Sequence, residues 1–186
     1  MRKDKDMAEV IDYALRMAAW EDGPETLKAL IGAGADVHVG TDAPMWGAAF
    51  SGRIDNIRAL LDAGADQDIA LLEAAENGLT EMVGELLGRG ADAEMCDGLP
   101  LQMAAIGGHT ETVKAMLAAG ADFYSDCALF IAAGHGHTDT VRALLEAGVL
   151  GHAAARREAE KNGHGQTARF LKNWRSSKRK KHASAS

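Results

Sequence analysis

Aromatic residues are scarce in this sequence: 3 Trp, 2 Tyr and 4 Phe make up 5% of 186 residues. So small a supply leaves little with which to fill a broad β-rich core. The heavy use of Ala and Gly points instead to thin, closely packed helices. The 3 prolines are too few for a linker-rich chain. The 2 cysteines, Cys96 and Cys127, form no CxxC pair, which excludes a disulfide framework and suits a reducing compartment. No window approaches the roughly 18 consecutive apolar residues that a membrane-spanning helix needs, and no apolar run follows the charged start at Arg2, Lys3 and Lys5. The expectation is a soluble, cytoplasmic protein, or a nuclear one if the chain is eukaryotic and its basic end directs import.

Hydrophobic residues make up 47%, enough to bury a core and to exclude global disorder. The length suits one domain or one modest repeat array and excludes a large multidomain enzyme. The net charge of -7 is unevenly spread. Residues 172–186 hold 6 basic residues and no acid, which leaves 14 basic against 27 acidic residues over 1–171, or -13. An acidic body repels nucleic acid and favours basic or apolar partners.

Internal repetition sets the fold. Paired alanines recur at Ala18-Ala19, Ala48-Ala49, Ala74-Ala75, Ala104-Ala105 and Ala132-Ala133. Gly-Ala-Asp recurs at Gly34-Ala35-Asp36, Gly64-Ala65-Asp66, Gly90-Ala91-Asp92 and Gly120-Ala121-Asp122. The second Ala always precedes the Gly by 15 residues (19 to 34, 49 to 64, 75 to 90, 105 to 120), and a fifth unit keeps this distance from Ala133 to Gly148. A small Ala pair lets a first helix approach its neighbours. Gly52, Gly78, Gly108 and Gly136 then end that helix. A second helix follows with apolar residues at i, i+3 and i+4: Leu27/Leu30/Ile31, Ile57/Leu60/Leu61, Val83/Leu86/Leu87, Val113/Met116/Leu117 and Val141/Leu144/Leu145. Each hairpin buries too little alone and must stack on the next.

These features resemble the ankyrin repeat. The family's T-P-L-H-x-A-A motif is matched in degraded form over 43–49 and 99–105, its G-H by Gly108-His109 and Gly136-His137, and its Gly-Ala-Asp ending four times. The resemblance covers about residues 8–172. It implies an all-α, ankyrin-like α-solenoid of stacked helix-turn-helix repeats. The reading is a single array over 1–174, with repeats at about 8–36, 43–66, 69–92, 99–122 and 127–150, a diverged C-terminal cap at 153–174, and a disordered basic tail at 175–186.

Two departures from the family matter. The Ala pairs are spaced by 30, 26, 30 and 28 residues, against about 33 in the family. The shortening falls in the connectors, so β-hairpin fingers should be stubby or absent; Gln67, Asp68 and Ile69 cannot make a hairpin. The His of T-P-L-H is also missing, with Arg16, Trp46, Leu72, Gln102 and Phe130 in its place. The resemblance gives that His a role in tying repeats together, so a less regular and less stable stack is expected.

The resemblance places exposed concave positions just before and just after each Ala pair. Candidate protein-binding residues are Met17, Trp20, Trp46, Phe50, Glu73, Glu76, Met103, Ile106, Ile131 and His135. Contiguous exposed apolar groups mark interaction sites, and Trp is a favoured anchor. The same residues would become core if the fingerless edge collapsed onto them or the tail folded back. The acidic pair Glu73 and Glu76 would suit a partner with an apolar segment flanked by Lys or Arg.

Other chemistry is not supported. His135 and His137 have alternate spacing open to zinc, but no four-ligand set emerges. The Gly-rich stretches lack the strand and the Lys of a phosphate loop, and no G-x-S-x-G occurs. No catalytic residue, metal or cofactor is expected. The reading is a non-enzymatic protein–protein interaction module, either an adaptor or an inhibitor that occludes a partner through its concave helix face. The alternative is association of the basic tail, at Lys178, Arg179, Lys180 and Lys181, with nucleic acid or an anionic surface. Self-association is a third reading.

Overall fold

The computed structural model describes the backbone of residues 2–121 and 124–183, and the side chains of 7–121 and 124–174. The described residues form 12 helices and no strand, so the fingers are absent. Backbone contacts divide the chain into two compact units, 1–92 and 93–186.

The first unit holds three hairpins: α1 (Arg2–Glu21) with α2 (Pro24–Gly32), α3 (Val39–Phe50) with α4 (Ile54–Asp62), and α5 (Gln67–Glu76) with α6 (Thr80–Gly88). Its first helices lie side by side, α1 on α3 and α3 on α5, and behind them α2 packs on α4. The second unit repeats this plan with α7 (Met95–Gly107) and α8 (Thr110–Ala118), α9 (Ser125–Gly134) and α10 (Thr138–Glu146), and α11 (His152–Lys161) and α12 (Gly165–Ala183). There α7 packs on α9 and α9 on α11, while α8 packs on α10 and α10 on α12. All five Ala pairs are buried, as close helix approach requires. In the second helices the first two residues of each stripe after the first hairpin are buried completely, for example Ile57 and Leu60 or Val113 and Met116.

Both kinds of helix end close with the same bond. After the first helices, Arg53 donates its backbone N–H to the Ala48 carbonyl and His109 donates to Ala104. After the second helices, Ala65 donates to Leu60 and Ala91 to Leu86. This six-to-one bond forces the residue before the donor into the left-handed region, which is why a Gly recurs there. The fifth hairpin keeps the bond, Val149 to Leu144, although its Ala and Asp are gone.

The first three connectors come in two forms. The short one vanishes: Asp66 caps α5 directly, its Oδ1 accepting from the N–H of Asp68 at 2.8 Å and of Ile69 at 3.4 Å. The longer one makes a turn of left-handed backbone, with φ of 63°, 56° and 61° at Gly40, Thr41 and Asp42, and of 49°, 60° and 71° at Cys96, Asp97 and Gly98. Non-Gly residues resist this region, and local bonds offset the cost. His38 Nδ1 lies 2.8 Å from Asp42 Oδ1, the Tyr124 hydroxyl donates to Asp97 Oδ1 at 2.8 Å, and Gln102 Nε2 donates to the Asp97 carbonyl at 2.7 Å. Pro44 and Pro100 then start the helix proper, where a missing N–H costs nothing.

The missing T-P-L-H histidine is offset by other ties between hairpins. In the first unit, Asn56 Nδ2 donates to the carbonyls of Ala19 (3.1 Å) and Asp22 (2.9 Å), while Arg53 donates to those of Trp20 (2.7 Å) and Glu21 (2.6 Å). In the second unit, His137 Nε2 donates to the Ile106 carbonyl at 2.8 Å, the hydroxyls of Thr110 and Thr140 meet at 2.9 Å, and those of Thr138 and Thr167 at 2.7 Å. Side chains at the head of the second helix thus do the joining in both units.

At the start, α1 exposes Met7, Val10, Tyr13 and Met17 along one stripe. At the far end, the backbone expected to be disordered continues α12 to Ala183, since after Gly165 no Gly or Pro interrupts a run rich in Lys and Arg. The side chains of Lys178, Arg179, Lys180 and Lys181 lie outside the described residues, as do Asp122 and Phe123.

Candidate functional site

The Ala pair fixes what each first helix shows. With Ala48 and Ala49 turned into the stack, the residues two positions before the pair and one after it, Trp46 and Phe50, point outward along the row of first helices, while Gly47 between them is buried. In the first unit this produces an aromatic cluster. Trp20 of α1 stacks on Phe50 of α3 with ring centroids 4.9 Å apart and planes 27° from parallel. Trp46 lies 5.2 Å from Trp20 and 5.4 Å from Phe50. The three rings shield one another only in part: Trp20 remains 36% exposed, Trp46 44% and Phe50 56%.

Beside these rings runs an open groove of about 310 Å³, lined by Tyr13, Arg16, Met17, Trp20 and Glu21 from α1 and by Ala43, Trp46 and Gly47 from α3. Gly47 forms part of its floor, where a Cβ would meet the Trp20 ring and the Arg16 carbonyl at an ordinary contact distance of 3.7 Å. The Arg16 guanidinium sits over the Tyr13 ring at 5.5 Å, so a cation already covers that wall.

Glu73 and Glu76 follow on α5. Glu76 is exposed and Glu73 is half-buried, with Oε2 shielded from solvent and accepting no hydrogen bond. Burial, then the negative charges of Glu76 and Asp42, push the Glu73 carboxyl up to about 7.

The second unit carries its own candidates. Ile106 is exposed, Met103 and Ile131 are half-buried, and His135 is exposed with Nδ1 2.9 Å from the Ile131 carbonyl. Phe130 is 43% exposed and belongs with them; it occupies one of the vacated T-P-L-H positions, a place read for its missing His rather than for its ring. Of the ten candidate residues, the structure brings Met17, Trp20, Trp46 and Phe50 together in the first unit, with Glu73 and Glu76 on the same row of helices. Tyr13, Arg16 and Glu21 complete the groove: Glu21 follows Trp20 directly, Arg16 holds the register position of Trp46 but was read only for the missing His, and Tyr13 lies outside the positions that flank the Ala pair. The His135 and His137 rings are parallel at 6.0 Å, and Nε2 of His137 is committed to Ile106. Among the described residues no three His, Cys, Asp or Glu side chains gather as metal ligands.

A family model described as ankyrin repeats, in three copies, matches residues 15–95 and 71–157. The chain belongs to the ankyrin repeat family. Ankyrin repeats bind other proteins, and the family is generally a non-catalytic scaffold for interaction. The fold is also similar to the crystal structure of the human ASB11 ankyrin repeat domain, with a TM-score of 0.74 and 23% identity, covering 86% of this chain and 82% of that one. That likeness concerns the fold alone. No curated protein matches the sequence. None of the described helices of this ankyrin repeat protein is long and apolar enough to cross a membrane.

Proposed function

We propose that this ankyrin repeat protein is a non-enzymatic docking module that takes hold of a partner protein through the exposed first-helix face of residues 1–92. It acts as an adaptor, or as an inhibitor that covers the partner's working surface. The observation that carries this reading is the cluster of Trp20, Trp46 and Phe50: three large rings in mutual contact, each still substantially open to water. Leaving such area wet costs stability, and rigid aromatic side chains are the anchors interfaces favour. The rings sit on packed helices, so docking loses little ordering entropy.

The partner's chemistry follows from the surroundings. Residues 1–92 carry 8 basic against 18 acidic residues. A partner segment with a bulky apolar residue for the groove and Lys or Arg beside it matches both the rings and the charge.

The test is the double variant Trp20→Ala with Phe50→Ala. Its helical circular dichroism should match the parent, while capture of the partner from the native cell is lost. Capture at parental strength by the folded variant would eliminate this face as the docking surface.

A further inference from the structure

Glu73 is an acid among acids on a face otherwise built of apolar groups. It stands on α5 at the register position held by Met17 in α1 and Gly47 in α3, and both of those residues line the aromatic groove. Its Oε2 is buried and accepts no hydrogen bond. The charges that act on it are Glu76 one turn along α5 and Asp42 near the start of α3. α6, the other helix packed on α5, carries Glu81 and Glu85, and both are engaged by Arg58 of α4, at 3.0 Å and 2.9 Å. A shielded carboxyl in this setting retains its proton to about pH 7.

We infer that Glu73 receives, as a carboxylate, a Lys or Arg of the docked partner. The inference rests on the groove reading above and adds to it a receiving group, a spacing and a regulation by pH. Packed helices lie about 8–10 Å apart, so the step from the α1/α3 groove to α5 is about that length. An extended segment advances roughly 3.3 Å per residue. A peptide crossing the helices in extended form therefore places its cation about three residues from its apolar anchor. The exposed Glu76 is the less selective group, because water already solvates it. Glu73 is shielded, so an arriving cation meets a carboxylate that water screens little.

The sign of the pH effect follows from the proton balance. The partner's Lys or Arg stays charged throughout the neutral range, so of the two docked groups only Glu73 titrates; His38, bonded to Asp42 near the start of α3, is raised above its ordinary value by that carboxylate. Below neutrality the cation meets a neutral acid and its arrival must drive off a proton. Above neutrality it meets a carboxylate already formed. One proton lost per complex, from a group titrating near 7, weakens binding about tenfold between pH 8 and pH 6.

The experiment uses the full chain and peptides selected on it at pH 8 from a random-sequence phage-display library, then synthesised. Affinity is measured at pH 6 and pH 8 for the parent, for Glu73→Gln, and for the Trp20→Ala, Phe50→Ala double variant. The expected result is peptides with Lys or Arg about three residues from a bulky apolar residue. They should bind the parent about tenfold more weakly at pH 6 than at pH 8, bind Glu73→Gln with one low affinity at both, and fail to bind the double variant. Peptides that need Trp20 and Phe50 but ignore pH and Glu73→Gln would overturn the inference and leave the groove reading standing. Peptides indifferent to Trp20 and Phe50, or no enrichment at all, would sink both. Carbon-13 titration of the Glu73 carboxyl gives an independent check: its midpoint should lie near 7 in the free chain and fall well below that with peptide bound.

Discussion

Asn56 reaches out of its own hairpin to hold Ala19: its side-chain amide donates to the Ala19 carbonyl at 3.1 Å in buried surroundings. A second bond from the same nitrogen goes to Asp22 at 2.9 Å. Asn56 is 1% exposed, so removing its amide strands two carbonyls that water reaches poorly. Asn56→Ala should cost about 2–3 kcal/mol in urea unfolding. A loss of only a few tenths would show that the tie between the first two hairpins carries little.

His137 closes over Gly108 while bonding Ile106. A Cβ added at Gly108 would stand 2.5 Å from the His137 ring, at a φ of +69°. Gly163 shares the positive φ (+80°) but has nothing within 4 Å. Gly163→Ala should therefore cost about 1 kcal/mol, the backbone penalty alone, and Gly108→Ala about 1–3 kcal/mol more. Adding His137→Ala to Gly108→Ala should recover part of the difference in a double-mutant cycle.

Arg58 gathers Asp55, Glu81 and Glu85, and Arg89 adds a second bond to Glu85 at 2.8 Å. The network ties α4 to α6, yet these side chains are substantially exposed. Arg58→Ala should lower the melting temperature only slightly, and about 1 M salt should erase the difference. A large loss that persists in salt would point to packing by the Arg58 stem instead.

Glu73 also sets a stability trend. Its carboxyl titrates higher in the folded chain than in the unfolded one, so the folded state binds more protons between those two values. That contribution is fully present below the unfolded carboxyl's titration and is lost as pH rises through about 7. Glu73→Gln should raise the melting temperature at pH 8, and the gain should shrink at pH 5. An equal gain at both would mean that the charge is not what destabilises the parent.

The hairpins were legible in the amino-acid sequence because Ala pairs and Gly-Ala-Asp endings act locally. A small residue permits close approach and a Gly accepts the left-handed cap wherever they occur. The loss of fingers followed from counting residues between Asp66 and Ala70. The outward residues Trp20 and Phe50 were legible from register with the Ala pair. The ties were not: Asn56, Thr110 and Thr140 carry no pattern within a helix, and their roles appear only when the neighbouring hairpin supplies a carbonyl or a hydroxyl. The shielding of Glu73 was hidden for the same reason, since three separate stretches of chain determine it. The apolar stripe of Met7, Val10 and Tyr13 was obscured by the charged residues interleaved with it.

The left-handed turns at 40–42 and 96–98 lie 56 positions apart (40 to 96, 41 to 97, 42 to 98), and the direct junction capped by Asp66 falls between them. The backbone N–H of Asp36 donates to the Asp12 carboxylate and that of Asp92 to the Asp68 carboxylate, at the same offset (36 to 92, 12 to 68). What recurs at a step of two hairpins is thus the coiled junction and the Asp-to-Asp bond beside it. A lengthened or shortened version made by copying or deleting 37–92 would leave every junction in its native company, whereas cutting out a lone hairpin would join two ends never shaped to meet.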